Sequence, residues 1–157
     1  MRRRQRQMCI RDSYPVNSSF GFKVSYKGRT VVISGDTIHD GSVQKYSKDV
    51  DLLVHSAISI DIVERMRKLA PIPQMDKILL DIQDYHTSIK EAGEIARDAN
   101  VKHLLIYHSI PTPRNTLMER VFFRPIEGIF EDYTLSDDGT RVIMPVGNNE
   151  IVIDKIN

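Results

Sequence analysis

Thr30-Val31-Val32-Ile33-Ser34-Gly35-Asp36-Thr37 is the stretch that decides the fold of this chain. Apolar and β-branched residues lead straight into Ser-Gly-Asp, the pattern of a buried strand ending at a glycine turn. Such a strand delivers a carboxylate to the rim of a sheet. There it serves as a metal ligand or catalytic acid, or it merely caps the turn or the next helix. Two features weigh against the cap. Val101-Lys102-His103-Leu104-Leu105-Ile106-Tyr107-His108 is a second apolar strand ending in a histidine, and His86 stands alone just before a helix.

Working outward, Phe20 to Tyr26 alternates apolar and polar residues and reads as a half-buried strand. Lys27-Gly28 turns the chain, and Thr30 to Ser34 returns as its deeper antiparallel partner. Thr37 to Asp40 reads as a loop, Gly41 to Lys48 as a short helix and Asp51 to His55 as a short buried strand. Ile58, Ile62, Met66 and Leu69 keep the helical period until Pro71 and Pro73 stop it. Met75, Ile78, Leu79 and Ile82 define a second helix. Ser88 with Glu91 forms a capping-box pattern for a helix from Ile89 to Asp98, and Asn100 suits its C-terminal end.

The strand Val101 to Tyr107 follows, and His108 to Pro113 reads as a loop whose prolines forbid further pairing. Leu117 to Phe123 and Ile126 to Phe130 are weakly helical. Tyr133-Thr134-Leu135, the Asp138-Gly139 turn and Arg141 to Val146 read as a hairpin, with Ile151 to Ile153 as an edge strand. Antiparallel hairpins mixed with strand-helix-strand units predict an α/β layered fold, a mixed sheet covered by helices.

A chain of 157 residues suffices for one domain with a real core. The formal charge of +1 hides an asymmetry. Residues 1–13 carry five of the 22 basic side chains and one of the 21 acidic ones, leaving 17 against 20 elsewhere. That acidic balance offers no broad basic footprint for nucleic acid. The Arg-rich start reads as translated adapter or cloning sequence, an unstructured tail before a domain over residues 14–157. No stretch reaches the roughly 18 consecutive apolar residues of a membrane span. The single Cys9 excludes an internal disulfide and leaves the redox compartment undetermined.

Asp36 and His108 lie just past the carboxyl ends of apolar strands, so neighbouring strands would bring both to one end of the sheet. Carboxylate with imidazole suits zinc, iron or manganese, and a carboxylate is able to bridge two ions. One Asp and one His do not make a metal site by themselves.

Four blocks occur in order: Ser34-Gly35-Asp36-Thr37, Asp51-Leu52-Leu53-Val54-His55, His86-Thr87-Ser88 with Glu91-Ala92-Gly93-Glu94-Ile95-Ala96, and Val101 to His108. From about Tyr14 onward the chain resembles the C-terminal half of the metallo-β-lactamase fold hydrolases. It is most similar to the branch of ribonuclease Z and arylsulfatase-like enzymes. The resemblance implies half of an αββα sandwich and, in the intact protein, two zinc ions, with manganese or iron as alternatives. It implies that Asp36 bridges the ions and takes part in catalysis, that His108 is a terminal ligand, and that His86 donates a proton to the leaving group. The implied reaction is attack by a metal-bound hydroxide on an ester, sulfate ester, lactone or phosphodiester.

Two departures qualify the resemblance. The family's His-x-His-x-Asp-His cluster, which supplies most of the ligands, does not occur here, so the chain is expected to be a fragment, inactive alone. After His55, where ribonuclease Z has a Glu that orients the proton-donating histidine, this chain has Ser56. Ser56 and the acidic balance favour a small-molecule ester-like substrate over tRNA 3′ processing. The alternatives are a ribonuclease Z-type endonuclease and a non-catalytic binding domain. A half-fold is further expected to expose apolar surface and self-associate.

Other residues carry weaker readings. His39 follows Asp36 by three positions and reads as a solvent-exposed loop residue. His55 reads as a hydrogen-bonded structural histidine, and His103 as one that packs or faces solvent. Phe122 and Phe123, with Leu117 and Met118, line a pocket or pack the last helix, packing being favoured. Arg114 contacts a substrate anion or is merely solvated. Tyr85 stands where it would flank a pocket next to His86.

Overall fold

The computed structural model describes residues 19–156, so the tail read over residues 1–13 lies outside the described residues. The apolar run becomes β2 (Arg29–Ile33), which pairs antiparallel with β1 (Phe22–Tyr26). Between them Lys27 and Gly28 both have positive φ, 45° and 81°, as the tight turn of a right-twisted hairpin requires. β3 (Leu52–Ile58), β4 (His103–Ile110) and β5 (Tyr133–Leu135) then add in parallel, giving one sheet in the order β1-β2-β3-β4-β5.

Parallel strands need crossovers, and helices supply them. α1 (Ser42–Tyr46) lies between β2 and β3. α2 (Ile60–Lys68), α3 (Pro73–Asp81) and α4 (Ile89–Asp98) lie between β3 and β4. α5 (Thr116–Phe123) follows β4. α4 begins with the capping box read from the sequence: Ser88 Oγ accepts from the Glu91 N–H, and the Glu91 carboxylate accepts from the Ser88 N–H. It ends at Asn100, φ 52°. Its buried face is Ile89, Ala92, Gly93, Ile95 and Ala96. Small residues there let the helix come close. A Cβ on Gly93 would stand 2.3 Å from the Ile126 side chain.

The main core joins that face to Leu53, Ala57, Leu104, Ile106, Phe122, Phe123 and Ile126. Ile58, Val63 and Leu79 form a smaller cluster where α2 and α3 meet the sheet. Phe122 and Phe123 are therefore core residues, and α5 leaves Leu117 exposed. No helix of the described residues is long and apolar enough to cross a membrane.

Several expectations are corrected. β3 and β4 each run three residues past the predicted end: Ile58 closes a strand instead of opening a helix, and pairing of β4 continues through Ile110 to stop at Pro111. Burial on both faces of β3 lets Ser56 and Ala57 sit in a strand, because packing there overrides local propensity. The hairpin expected from Tyr133 to Val146 does not form. Tyr133–Leu135 joins β4, whereas β6 (Thr140–Ile143) pairs antiparallel with β7 (Val152–Lys155) in a separate two-stranded sheet. The Asp138-Gly139 turn thus separates strands of different sheets. β1 is exposed along its whole length, not half-buried.

Self-association is a prediction to be tested on this exposed strand. Phe20 and Val24 are 71% and 53% exposed, on or beside the first strand of the described sheet. Light scattering of the chain without detergent is expected to show oligomers, and Val24→Lys to shift them toward monomer. A monodisperse monomer at all concentrations would count against this.

Candidate metal centre

β2 ends beside β3, where the Ser34 N–H donates to the Val54 carbonyl at 3.0 Å, and the chain then turns at Gly35. Gly35 has φ 71°, and a Cβ there would lie 2.6 Å from the Phe20 carbonyl oxygen, so the turn accepts only glycine without rearrangement. Asp36 emerges from it, exposed.

His108 arrives by a different device. It lies inside β4, not in a loop after it. Ser56 pairs with Tyr107 and Ala57 with Ser109, which leaves His108 as the extra residue of a β-bulge with φ 45°. Positive φ is uncommon for a residue with a side chain and costs of order 1 kcal/mol. The bulge interrupts strand alternation, which re-aims the side chain at the rim of the sheet. The imidazole donates from Nδ1 to Asp36 Oδ1 at 3.1 Å.

His86 enters between a 3-10 turn (Ile82–Asp84) and α4. The Ile58 N–H donates to the Thr87 carbonyl at 2.9 Å, fixing the segment against the end of β3. Its Nδ1–H donates to the Ile82 carbonyl at 3.0 Å. That bond sets the neutral tautomer and leaves Nε2 buried without a partner. Ring centroids of Tyr85 and His108 stand 4.8 and 5.5 Å from that of His86. Burial pushes the His86 imidazole below its usual pKa, and nearby His108 adds to this. The Ile82 carbonyl and the Asp36 charge act in the opposite direction.

One ligand atom from each of Asp36, His86 and His108 lies within 4.8 Å of the others. The Asp36 carboxylate and the His108 imidazole suit a divalent ion, and beside them His86 presents a buried Nε2 with no hydrogen-bond partner. Among the described residues no lysine or arginine pairs with Asp36. The structure thus brings the three predicted site residues together at the carboxyl end of the parallel strands.

The other histidines lie apart. His39 is exposed in the loop beyond Asp36. His103 starts β4 at the opposite end of the sheet, its Nε2 3.0 Å from Thr134 Oγ1. Tyr85 lines a groove of about 890 Å³ that reaches Asp36, with Phe22, Ile33, Ile38 and Tyr46. Arg114 lies in a separate polar concavity with Glu119 and Lys155. Thr87 and Ser56 donate their hydroxyls to carbonyls of the Asp36 turn, bonds that have no sequence signal, since the partners are 50 and 21 residues away.

His55 is fully buried, its Nδ1–H donating to the Ser56 carbonyl at 2.6 Å, with Nε2 unpartnered. Burial lowers its pKa from 6.5 to about 4. Between these values the unfolded chain binds the proton and the folded one does not, so stability falls as pH drops through this window. Relative to His55→Gln, the native chain is expected to lose roughly 2 kcal/mol more between pH 8 and pH 5. Urea unfolding at both pH values checks this; equal losses would mean that the ring is protonated in the fold.

No protein-family model matches the chain. Over 100 residues it is 39% identical to ribonuclease Z of Mycolicibacterium paratuberculosis, a match covering 64% of this chain and 33% of that protein. Ribonuclease Z of Mycobacterium tuberculosis is 37% identical over 100 residues, covering 64% and 34%. Over these 100 residues the chain is similar to ribonuclease Z. The chain spans about a third of the length of the curated proteins it matches. Similar solved structures include the metallo-β-lactamase fold protein YhfI from Bacillus subtilis, with TM-score 0.49 and 19% identity, covering 73% of this chain and 40% of that one. Human tRNase Z, short form, has TM-score 0.44 and 24% identity, covering 75% and 35%.

Proposed function

We propose that this chain contributes Asp36, His108 and His86 to a metal-dependent hydrolase acting on a phosphodiester. The observation that carries the reading is the convergence of the three side chains, from three separate elements, on one rim of the sheet. Asp36 and His108 would hold a divalent ion, zinc being the expected one. Such an ion, when bound, lowers the pKa of water and neutralises charge building on the reacting oxygens.

The remaining chemistry falls to this chain's own groups. His86 keeps one proton on Nδ1 against the Ile82 carbonyl, so a proton for a leaving oxygen is carried on Nε2. The donating form is therefore the imidazolium. Burial disfavours it and the Asp36 carboxylate favours it. A phosphodiester ranks first among the ester classes because the curated relatives are named ribonuclease Z. For the same reason an RNA phosphodiester, as in tRNA 3′ processing, is the second reading. Ser56 and the balance of 17 basic to 20 acidic residues outside the tail speak for a smaller substrate.

The remaining ligands are proposed to come from a His-x-His-x-Asp-His segment outside these residues. The chain alone is then expected to take up no pair of zinc ions and to leave bis(p-nitrophenyl) phosphate intact. Joined to such a segment, it is expected to cleave that diester in preference to p-nitrophenyl acetate or sulfate. A joined protein that binds two zinc ions but cleaves none of the three would sink the hydrolase reading.

A further inference from the structure

Three consecutive carbonyls around Asp36 each accept a side-chain hydroxyl. Ser34 and Ser56 Oγ donate to the Gly35 carbonyl at 2.7 and 3.1 Å, Ser19 to that of Asp36, and Thr87 Oγ1 to that of Thr37 at 2.6 Å. A turn leaving a sheet has no ladder to satisfy its carbonyls, and here hydroxyls from neighbouring elements do so. They differ in rigidity. Ser19 is exposed and Ser34 is local, whereas Ser56 and Thr87 are fully buried and come from elsewhere in the fold.

Thr87 is held on both sides. Its carbonyl accepts from the Ile58 N–H, and its neighbour Ser88 forms an isolated parallel bridge to Ile58. Its side chain reaches Thr37, one residue beyond Asp36, and its own preceding residue is His86. One threonine thus fastens the Asp36 turn and the His86 segment to the end of β3. Ser56, on β3 itself, fastens the other side of the turn through Gly35. The neighbour of His55 thus supports the carboxylate, while His86 takes its orientation from the Ile82 carbonyl.

We propose that Thr87 is a positioning residue, whose hydroxyl holds the Asp36 carboxylate in register with His86 and His108, with Ser56 as the secondary brace. Thr87 acts through the Thr37 carbonyl. The consequence for metal binding rests on the hydrolase reading above; the brace itself does not.

The test uses the 157-residue chain with Thr87→Val, Thr87→Ser, Ser56→Ala and, as a core control, Ile95→Val. Two readouts are taken: backbone ¹⁵N order parameters without metal, and affinity for cobalt(II) from its visible absorption. Thr87→Val is expected to drop the order parameters at residues 35–37 from about 0.85 toward about 0.6. It is expected to weaken cobalt(II) binding about 10-fold. Thr87→Ser stays near native, and Ser56→Ala has the smaller effect because Ser34 also serves Gly35. Ile95→Val lowers the urea midpoint without changing either readout.

An unchanged turn in Thr87→Val, equal losses in the Ser and Val variants, or the same loss in Ile95→Val would overturn the proposal. Loss of order in Thr87→Val with cobalt(II) affinity unchanged from native supports the brace and overturns its consequence for metal binding.

Discussion

Asp36→Asn is expected to weaken cobalt(II) binding by this chain at least about 100-fold, more than changes to supporting residues cost. The amide keeps the shape of the side chain but loses the negative charge, and it lies in a cluster with no other carboxylate. His108→Ala removes the partner donor and is expected to have a comparable effect. Neither change should disturb folding much. The Asp36–His108 pair is exposed on both sides, and exposed pairs of this kind contribute at most about 1 kcal/mol. Visible-absorption titration beside urea unfolding therefore separates lost ligation from lost structure. If Asp36→Asn binds as well as native, the carboxylate caps its turn and does nothing more.

Asp51→Ala is expected to cost about 3–5 kcal/mol in stability, the usual result of stripping a buried charge of its partner. Asp51 sits just before β3, 5% exposed, under Arg29, which is 7% exposed. Arg29 Nη1 lies 3.4 Å from the carboxylate, Lys102 Nζ donates to it at 2.8 Å, and so does the Thr30 N–H at 2.8 Å. The same guanidinium donates to the carbonyls of Asn148 and Glu150 at 2.7 and 2.9 Å. It thereby ties the connection between β6 and β7 to the amino end of the main sheet.

Without Asp51 the arginine stays buried, its charge uncompensated. Asp51→Asn, which keeps the shape and an acceptor for Thr30, is expected to fall between native and Ala in urea unfolding. A loss below about 1 kcal/mol for Ala would show that water reaches the cluster. Burial alone would push the Asp51 carboxyl up. The hydrogen bonds from Lys102 and the Thr30 N–H, with the charges of Arg29 and Lys102, more than reverse this and hold it below its usual range. Its stabilisation is therefore present above the unfolded carboxyl pKa and lost as pH falls through the lower folded value.

What the sequence determined by itself is whatever depends on near neighbours. The period of Ile62 and Met66, the Ser88–Glu91 box, the Lys27-Gly28 turn and the Gly35 turn are local, since each element is set by spacings of a few residues. Asp36 was legible as a strand-end carboxylate for the same reason, and His86 as a histidine placed by the next helix cap.

Only the tertiary structure decided the rest. Whether Tyr133–Leu135 pairs with β6 or β4 depends on an open edge far away in the chain, which a turn motif cannot register. The bulge at His108 arises from the mismatch of two strands about fifty positions apart, so the sequence shows a strand end where the fold has a kink. The bonds from Thr87 and Ser56 to the Asp36 turn, and from Arg29 to Asp51, join residues with no common period. Side chains brought together by chain crossing leave no regular spacing behind, and this site is built from three segments joined that way.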